Sequence, residues 1–143
     1  MNFDDERIAI EKHLIDKWAL TSYASSVNIY PENAKVNSTA IPFIQIYIVN
    51  TDSNQVELGS ALTPAVHRLD GFVDFMINTE IYSATTLSRK LADAVSAIFN
   101  RQKISYGSSG SIIFMAGTRK SLGPSDGAYQ EALRMPFRRT VRV

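Results

Sequence analysis

Six cations near the C-terminus are the residues whose type and spacing most suggest a ligand. They are Arg119, Lys120, Arg134, Arg138, Arg139 and Arg142. Arg134, Arg138 and Arg142 recur every fourth residue, so on a strand they point to one face, with Arg139 on the other. Together with Arg119 and Lys120, such a row could line a phosphate-facing surface. An edge strand that charge protects from aggregation has the same pattern, and both interpretations stay open.

The nucleic-acid interpretation makes a specific prediction. No aromatic platform for base stacking accompanies these cations in the sequence, so sequence-specific recognition is not expected. A nucleic-acid-binding module that uses the basic C-terminal strand is the alternative function. It predicts DNA binding that falls steeply with salt and weakens when Arg134, Arg138 and Arg142 are replaced by alanine.

Residues 117–127 have some features of a phosphate-binding loop, because Lys120 and Ser121 stand near glycines. The P-loop pattern requires glycine directly before the lysine and a helix after it. Arg119 precedes the lysine here, and Leu122-Gly-Pro is a poor start for a helix. The sequence therefore predicts no nucleotide site, and we expect these residues to form a loop that carries two adjacent cations.

Other catalytic arrangements fail on spacing or composition. Asp70 and Asp74 share a strand face, but four strand residues span about 13 Å, whereas glycosidase carboxylates lie roughly 5 to 9.5 Å apart. Residues 107–111 approach Gly-x-Ser-x-Gly but have serine as the last residue. His13 and His67 are the only histidines, and cysteine is absent. We therefore expect no enzymatic activity, no cofactor and no metal.

The composition is that of one globular domain with an uneven charge. The chain has 143 residues, of which 45% are hydrophobic and 20% charged, so disorder is not predicted. Residues 1–100 carry 7 Lys and Arg against 12 Asp and Glu, a balance of −5, and residues 101–143 carry 8 against 2, a balance of +6. Such segregation can mark an acidic and a basic surface, which could meet head to tail between copies. Uneven sampling in a short chain gives the same balance, and both interpretations stay open.

Hydropathy and the N-terminal residues predict neither a membrane span nor a secretory signal. No apolar run approaches the ~18 residues that a transmembrane helix needs. The chain begins Met-Asn-Phe-Asp-Asp-Glu-Arg, which is acidic where a signal peptide is basic. The absence of cysteine fits a reducing compartment. We expect the protein to stay in the compartment where it is made.

The first half of the chain predicts one helix and several short strands. Residues 4–20 form a helical pattern with an apolar stripe of Ile8, Leu14, Ile15 and Trp18. His13 lies among charged neighbours and is predicted to be solvated. Strands are predicted at 27–30 and 43–50, followed by a turn at 51–54 and a short return strand at 55–58.

The central unit is a strand at 66–78 followed by an amphipathic helix at 83–99, with Ser83 as the N-cap. The strand's core face is predicted to carry Leu69, Val73, Phe75 and Ile77. The helix stripe is predicted to carry Leu87, Leu91, Val95 and Ile98, widened by Ala94 and Phe99. We expect the strand's core face to pack under this helix.

The opposite face of that strand is the best candidate for a contact between subunits. It carries Arg68, Asp70, Phe72, Asp74 and Met76. Phe72 and Met76 would be exposed between charges in a monomer, and exposed apolar side chains of this kind often mark an interface.

The remaining strands complete an α+β fold. They are predicted at 103–106, 111–116 and 129–143. Pro136 removes one ladder donor, which favours an edge position or a bulge for the last strand. The predicted architecture is a single domain over 1–143, a mostly antiparallel sheet of about five or six strands with two main helices packed on one face.

Two segments carry a family resemblance. Gly71-Phe-Val-Asp-Phe-Met-Ile77 leads into Leu87-Ser-Arg-Lys-Leu-Ala-Asp-Ala-Val-Ser-Ala-Ile-Phe99, and Asp126-Gly-Ala-Tyr-Gln130 continues to Met135-Pro-Phe137. This order of elements resembles the tail terminator proteins of long-tailed bacteriophages, the lambda-type family. The resemblance spans nearly the whole chain.

The resemblance implies a structural virion protein that forms a hexameric ring. Such a ring caps the head-proximal end of the tail tube, stops its polymerisation and joins the tail to the neck. The implied partners are other copies of the chain, the tail tube protein, a head-completion or neck protein, and DNA that passes through the lumen without sequence specificity. The implied location is the tail of the virion, after synthesis in the host cytoplasm.

Overall fold

A computed structural model describes residues 3–35, 41–57, 66–81, 86–105, 110–125 and 127–142. The described helices are α1 (Phe3–Trp18) and α2 (Thr86–Phe99). The described strands are β1 (Asn28–Tyr30), β2 (Phe43–Glu57), β3 (Val66–Glu80), β4 (Lys103–Ser105), β5 (Ser111–Phe114), β6 (Thr118–Ser125) and β7 (Ala128–Arg142). The predicted α+β class is confirmed. The predicted N-cap, Ser83, lies outside the described residues.

One continuous sheet contains all seven of these strands. Its order is β1-β2-β3-β7-β5-β4, and β6 also pairs with β7. Every pairing is antiparallel except the short contact between β1 and β2. β3 lies at the centre, since β2 and β7 flank it along almost its whole length.

Both helices pack on the same face of this sheet, as predicted. Val73, Phe75 and Ile77 of β3 are fully buried there, together with Leu91, Val95 and Phe99 of α2. A row of rings crosses this core, with centroids 5.3 Å apart for Phe75–Phe99, 4.9 Å for Phe99–Phe114 and 5.6 Å for Phe114–Phe137. Apolar burial on this scale is the main stabilising contribution to the fold. Neither described helix has the length and apolar character that a membrane span requires.

The predicted turn at 51–54 is wrong, because β2 continues through it to Glu57. Pairing with β3 gives these turn-forming residues ladder hydrogen bonds. Two register shifts, between Asn50 and Asp52 and between Gln55 and Glu57, absorb the irregularity. Local turn propensity is therefore overridden by a neighbouring strand.

The predicted loop at 117–127 is also wrong, because residues Thr118–Ser125 form β6 along β7. The turn into β7 includes Gly127 at φ 80°, a conformation that glycine adopts without steric cost. Pro136 does not mark an edge, since β7 has strands on both sides. It marks a bulge. Three residues, Met115 to Gly117, lie opposite two, Met135 and Pro136, and the Met115 amide donates to the Pro136 carbonyl at 2.9 Å.

The buried stripe of α1 differs from the predicted one. Its fully covered positions are Glu6, Ile10, Leu14 and Trp18, four residues apart, whereas Ile15 is exposed. Because the first residue of this row is a glutamate, apolar spacing alone does not identify the row. The prediction of a solvated His13 is also wrong, because its ring Nε2 donates to the Ile98 carbonyl at 3.1 Å. That bond satisfies a carbonyl in the last turn of α2.

Candidate assembly surface

The sheet face away from the helices is the candidate assembly surface. β3 places Asp70, Phe72, Asp74 and Met76 there, all half-buried, because successive strand residues alternate between faces. Arg68 continues this row. The prediction that polar and apolar side chains are mixed on this face is confirmed. Neither of the two described helices belongs to this face, since both pack on the other side.

Apolar side chains from neighbouring strands extend the surface. Tyr47 and Val49 of β2 are 41% and 40% exposed, and Ile113 of β5 is 45% exposed. Tyr47 lies opposite Asp74, and Val49 lies opposite Phe72. Half-buried Pro136 flanks Phe72 from β7. The surface therefore presents a broad apolar strip with charged groups inside it.

Arg134 lies at the centre of this surface. Its Nε and Nη2 donate to the two carboxylate oxygens of Asp74 at 2.9 and 3.0 Å. Its guanidinium carbon stands 3.8 Å from the centroid of the Phe72 ring. Donation of these hydrogen bonds to the Asp74 carboxylate raises the pKa of Arg134 above its ordinary value. This arginine is thus a fixed cation, held in a geometry that combines a bidentate ion pair with a cation–π contact.

These contacts correct one part of the sequence interpretation. Phe72 is not left open between charges, because the Arg134 guanidinium lies over its ring. The side chain is half-buried within one subunit rather than fully exposed or fully covered. The exposed apolar area of the surface comes chiefly from Tyr47, Val49 and Ile113.

The other end of the row is less tightly paired. Asp70 lies directly opposite Arg138 in the register, but the Arg138 guanidinium donates instead to the Met115 sulfur at 3.9 Å. Arg68 Nε lies 3.4 Å from Asp70 Oδ1 without hydrogen-bond geometry. Both of these atoms are buried and lack a hydrogen bond within the described part of the chain. This end retains unsatisfied polar groups, which are costly when buried.

The six cations from the C-terminal part do not form one surface. Arg119 points to the helix-bearing face and pairs with buried Glu131. Arg139 is buried on that same face and pairs with Glu6 of α1, with the Phe3 ring 5.3 Å away. Lys120, Arg134 and Arg138 belong to the outer face by their register. The side chains of Arg142 and His67 lie outside the described residues.

The ion pairs also explain part of the charge segregation. Arg139 and Arg134 come from the basic end of the chain, and their partners Glu6 and Asp74 come from the acidic part. The two charge excesses therefore meet, at these pairs, inside one subunit.

A carboxylate network at the N-terminal end of the molecule was missed by the sequence analysis. Glu11 accepts from Arg7 at 2.9 Å and from the Glu32 amide at 3.0 Å. The Glu32 carboxylate accepts from the Ile48 amide of β2 at 2.7 Å. The signal in the sequence is weak, because acidic residues on a helix are ordinarily solvated. No group of three or more metal-binding side chains exists within the described ranges.

Comparison with known proteins gives the fold alone. No protein-family model matches the chain, and no curated protein matches it. One solved structure without a functional name is 16% identical, with a TM-score of 0.63 over 100% of this chain and 97% of its own. A chain from the virion of a native gene transfer agent particle is 14% identical, with a TM-score of 0.54 over 96% of this chain and 94% of its own.

Proposed function

We propose that this protein is a structural virion component, a ring-forming tail terminator. In this role it caps the head-proximal end of a phage tail tube and joins the tail to the neck. The observation that carries the proposal is the candidate assembly surface, a sheet face with exposed Tyr47, Val49 and Ile113 around Arg134. The near full-length fold likeness to a gene transfer agent virion chain supports it, as does the resemblance of the sequence to tail terminators.

The composition of the surface favours a protein partner. An antiparallel sheet covered on one face usually turns polar residues to water on the other. Here aromatic, aliphatic and proline side chains occupy that face, and a contiguous apolar patch of this kind marks an interaction site. Tyrosine and arginine are also the residues that most often dominate binding energy at the centre of interfaces. A partner would cover Tyr47 and Val49 and contact the fixed Arg134–Asp74 pair at the centre of the surface.

The proposed partners follow from the role. They are other copies of the chain in a hexameric ring, the tail tube protein, and a head-completion or neck protein. DNA would pass through the lumen without sequence-specific contacts. The protein would carry out no reaction. The nucleic-acid-binding alternative has less support, because Arg119, Arg134 and Arg139 already pair with carboxylates of the same chain.

Mutation of the assembly surface tests this proposal. Tyr47→Asp and Ile113→Asp place a carboxylate in the apolar strip, and we expect both to abolish capping of tail tubes. Leu20→Asp is the matched control, because Leu20 is 81% exposed away from the sheet face. The measurements are particle imaging and solution mass of the protein alone and after addition of tail tubes. Capping that survives both surface changes would overturn the role of this face.

A second measurement separates the two candidate functions. A tail terminator should bind duplex DNA weakly, and Lys120→Ala with Arg138→Ala should change that weak binding little. A nucleic-acid module should instead lose most of its DNA affinity with this double change, and its binding should fall steeply with salt. Thermal unfolding of each variant shows whether the fold is retained.

A further inference from the structure

Among the described residues, little pairs with the outer edge of β2. β1 pairs only with Phe43 to Gln45 of β2. Further along β2, the backbone amide of Ile48 points away from β3 and donates to the Glu32 carboxylate. From Val49 to Glu57 no strand lies along this edge in the described part of the chain. Because backbone groups alternate in direction along a strand, the Asn50 amide points outward like that of Ile48.

An acidic cavity opens beside this edge. Its volume is about 310 Å³, and its lining includes Phe3, Asp4, Arg7, Glu32 and Asn50. Arg7 already donates to Asp4 at 2.8 Å and to Glu11 at 2.9 Å, and the bond to Asp4 together with the charge of Glu11 raises the pKa of Arg7. Glu32 accepts only from a backbone amide among the described contacts. The cavity therefore has an unneutralised carboxylate directly beside exposed strand backbone.

The opposite side of the sheet carries a complementary edge. β6 pairs with β7 on one side, and no described strand lies on its other side. Its exposed start, Thr118-Arg-Lys-Ser121, contains two cations. Arg119 pairs with Glu131, whereas Lys120 has no carboxylate partner among the described residues. One chain thus has an acidic strand edge at one side of its sheet and a basic strand edge at the other.

We propose that the β6 edge of a second copy adds to the β2 edge beyond Ile48, with the basic start of β6 along the edge at which the acidic cavity opens. Main-chain hydrogen bonds between the strands would supply affinity, as in strand addition to other sheet edges. Charge complementarity selects this pairing, since two β2 edges would bring carboxylates together and two β6 edges would bring cations together. Unlike edges make a head-to-tail contact that can close into a ring. The inference deepens the proposed function and rests on it only for the closure into a ring.

Single cysteines test the contact directly, because the chain has none of its own. Val49→Cys lies on the β2 edge strand, and Thr118→Cys lies on β6. A mixture of the two variants, treated with a short thiol-to-thiol crosslinker, should give covalent heterodimers. The experiment is done on concentrated protein and on capped tail tubes. Ala97→Cys is the matched control, exposed on α2, and should crosslink with neither.

Two outcomes would overturn the inference. The first is crosslinking within one variant alone, Val49→Cys to itself or Thr118→Cys to itself. The second is crosslinking of Val49→Cys only to the tail tube protein, which would assign the edge to that partner. Crosslinked heterodimers that fail to cap tails would uphold this contact and refute the terminator role. Capped tails without crosslinked heterodimers would refute this contact and uphold the terminator role.

A proline and a charge change refine the result. Asn50→Pro removes an outward amide that the β3 ladder does not use, so the fold should persist while heterodimers are lost. Lys120→Glu should weaken self-association roughly tenfold or more through like-charge contact. Unchanged association in both single variants, with an unchanged unfolding transition, would contradict the proposed edge pairing.

Discussion

The two faces of β7 hold two arginines with the same kind of partner in opposite surroundings. Arg139 is buried under α1 and pairs with the equally buried Glu6. Arg134 pairs with Asp74 on the outer face, where its side chain is 53% exposed. Burial, rather than the ion pair itself, therefore decides the consequence of losing a partner. The inner pair positions a helix, whereas the outer pair shapes a surface.

The largest expected effect is at the inner pair. Glu6→Ala removes the carboxylate that pairs with the buried Arg139 guanidinium. We expect a loss of about 3–5 kcal/mol in the free energy of unfolding. Urea denaturation followed by the single tryptophan measures it. The double change Glu6→Leu with Arg139→Met replaces the pair by apolar groups, and should recover most of the loss. A loss below about 1 kcal/mol in the single variant would show that the pair behaves like a surface contact.

We expect an intermediate effect at Gly71, which lies opposite the buried Phe137 on the helix-bearing face of β3. A Cβ there would lie 2.5 Å from the Val49 carbonyl oxygen and 2.9 Å from the Phe137 ring. Because the first of these atoms is backbone, Gly71→Ala should destabilise by roughly 1–3 kcal/mol. The midpoint of urea unfolding measures the change. An alanine variant as stable as the parent would mean that β2 and β3 can separate locally without cost.

The smallest effect on stability is expected at the outer pair. Arg134→Ala should change the free energy of unfolding by at most about 1 kcal/mol, because both partners reach solvent. The raised pKa of Arg134 adds stability at every pH below the ordinary pKa of an arginine, and that contribution is lost only as pH rises through the raised pKa. Stability at ordinary pH should therefore not depend on titration of this arginine.

The Arg134→Ala variant also tests whether the outer ion pair serves assembly rather than folding. If the outer face serves assembly, Arg134→Ala should reduce tail capping strongly while the unfolding transition stays nearly unchanged. Glu6→Ala should show the opposite order, with stability lost first. A variant of Arg134 that loses stability and capping in parallel would assign the outer pair to folding.

Secondary structure was predictable where one residue pattern dominated. The alternation of Val73, Phe75 and Ile77 predicted the core face of β3, and the spacing of Leu91 and Val95 predicted the buried face of α2. Each pattern reflects a periodicity fixed by backbone geometry. Leu87 illustrates the limit, since it belongs to the predicted stripe but is 36% exposed at the first turn of the helix.

The candidate surface was predictable only in part. The row from Asp70 to Met76 was placed on the outer face of β3, because strand alternation alone gives that result. The stacking of Arg134 on Phe72 and the exposure of Tyr47 depend on which strands become neighbours. Strand pairing brings together residues such as Asp74 and Arg134, which are 60 positions apart. No local residue pattern encodes this strand order.

The sequence by itself determined the class of fold, the amphipathic helix α2 and the alternation of β3. These features need only the pattern of apolar residues and the geometry of a helix or a strand. Tertiary structure alone decided that Thr118–Ser125 is a strand, that Glu6 is buried, and that Arg119 and Lys120 point to opposite faces. Each of these depends on β7 as a neighbour, which supplies ladder hydrogen bonds to β6 and a buried guanidinium for α1.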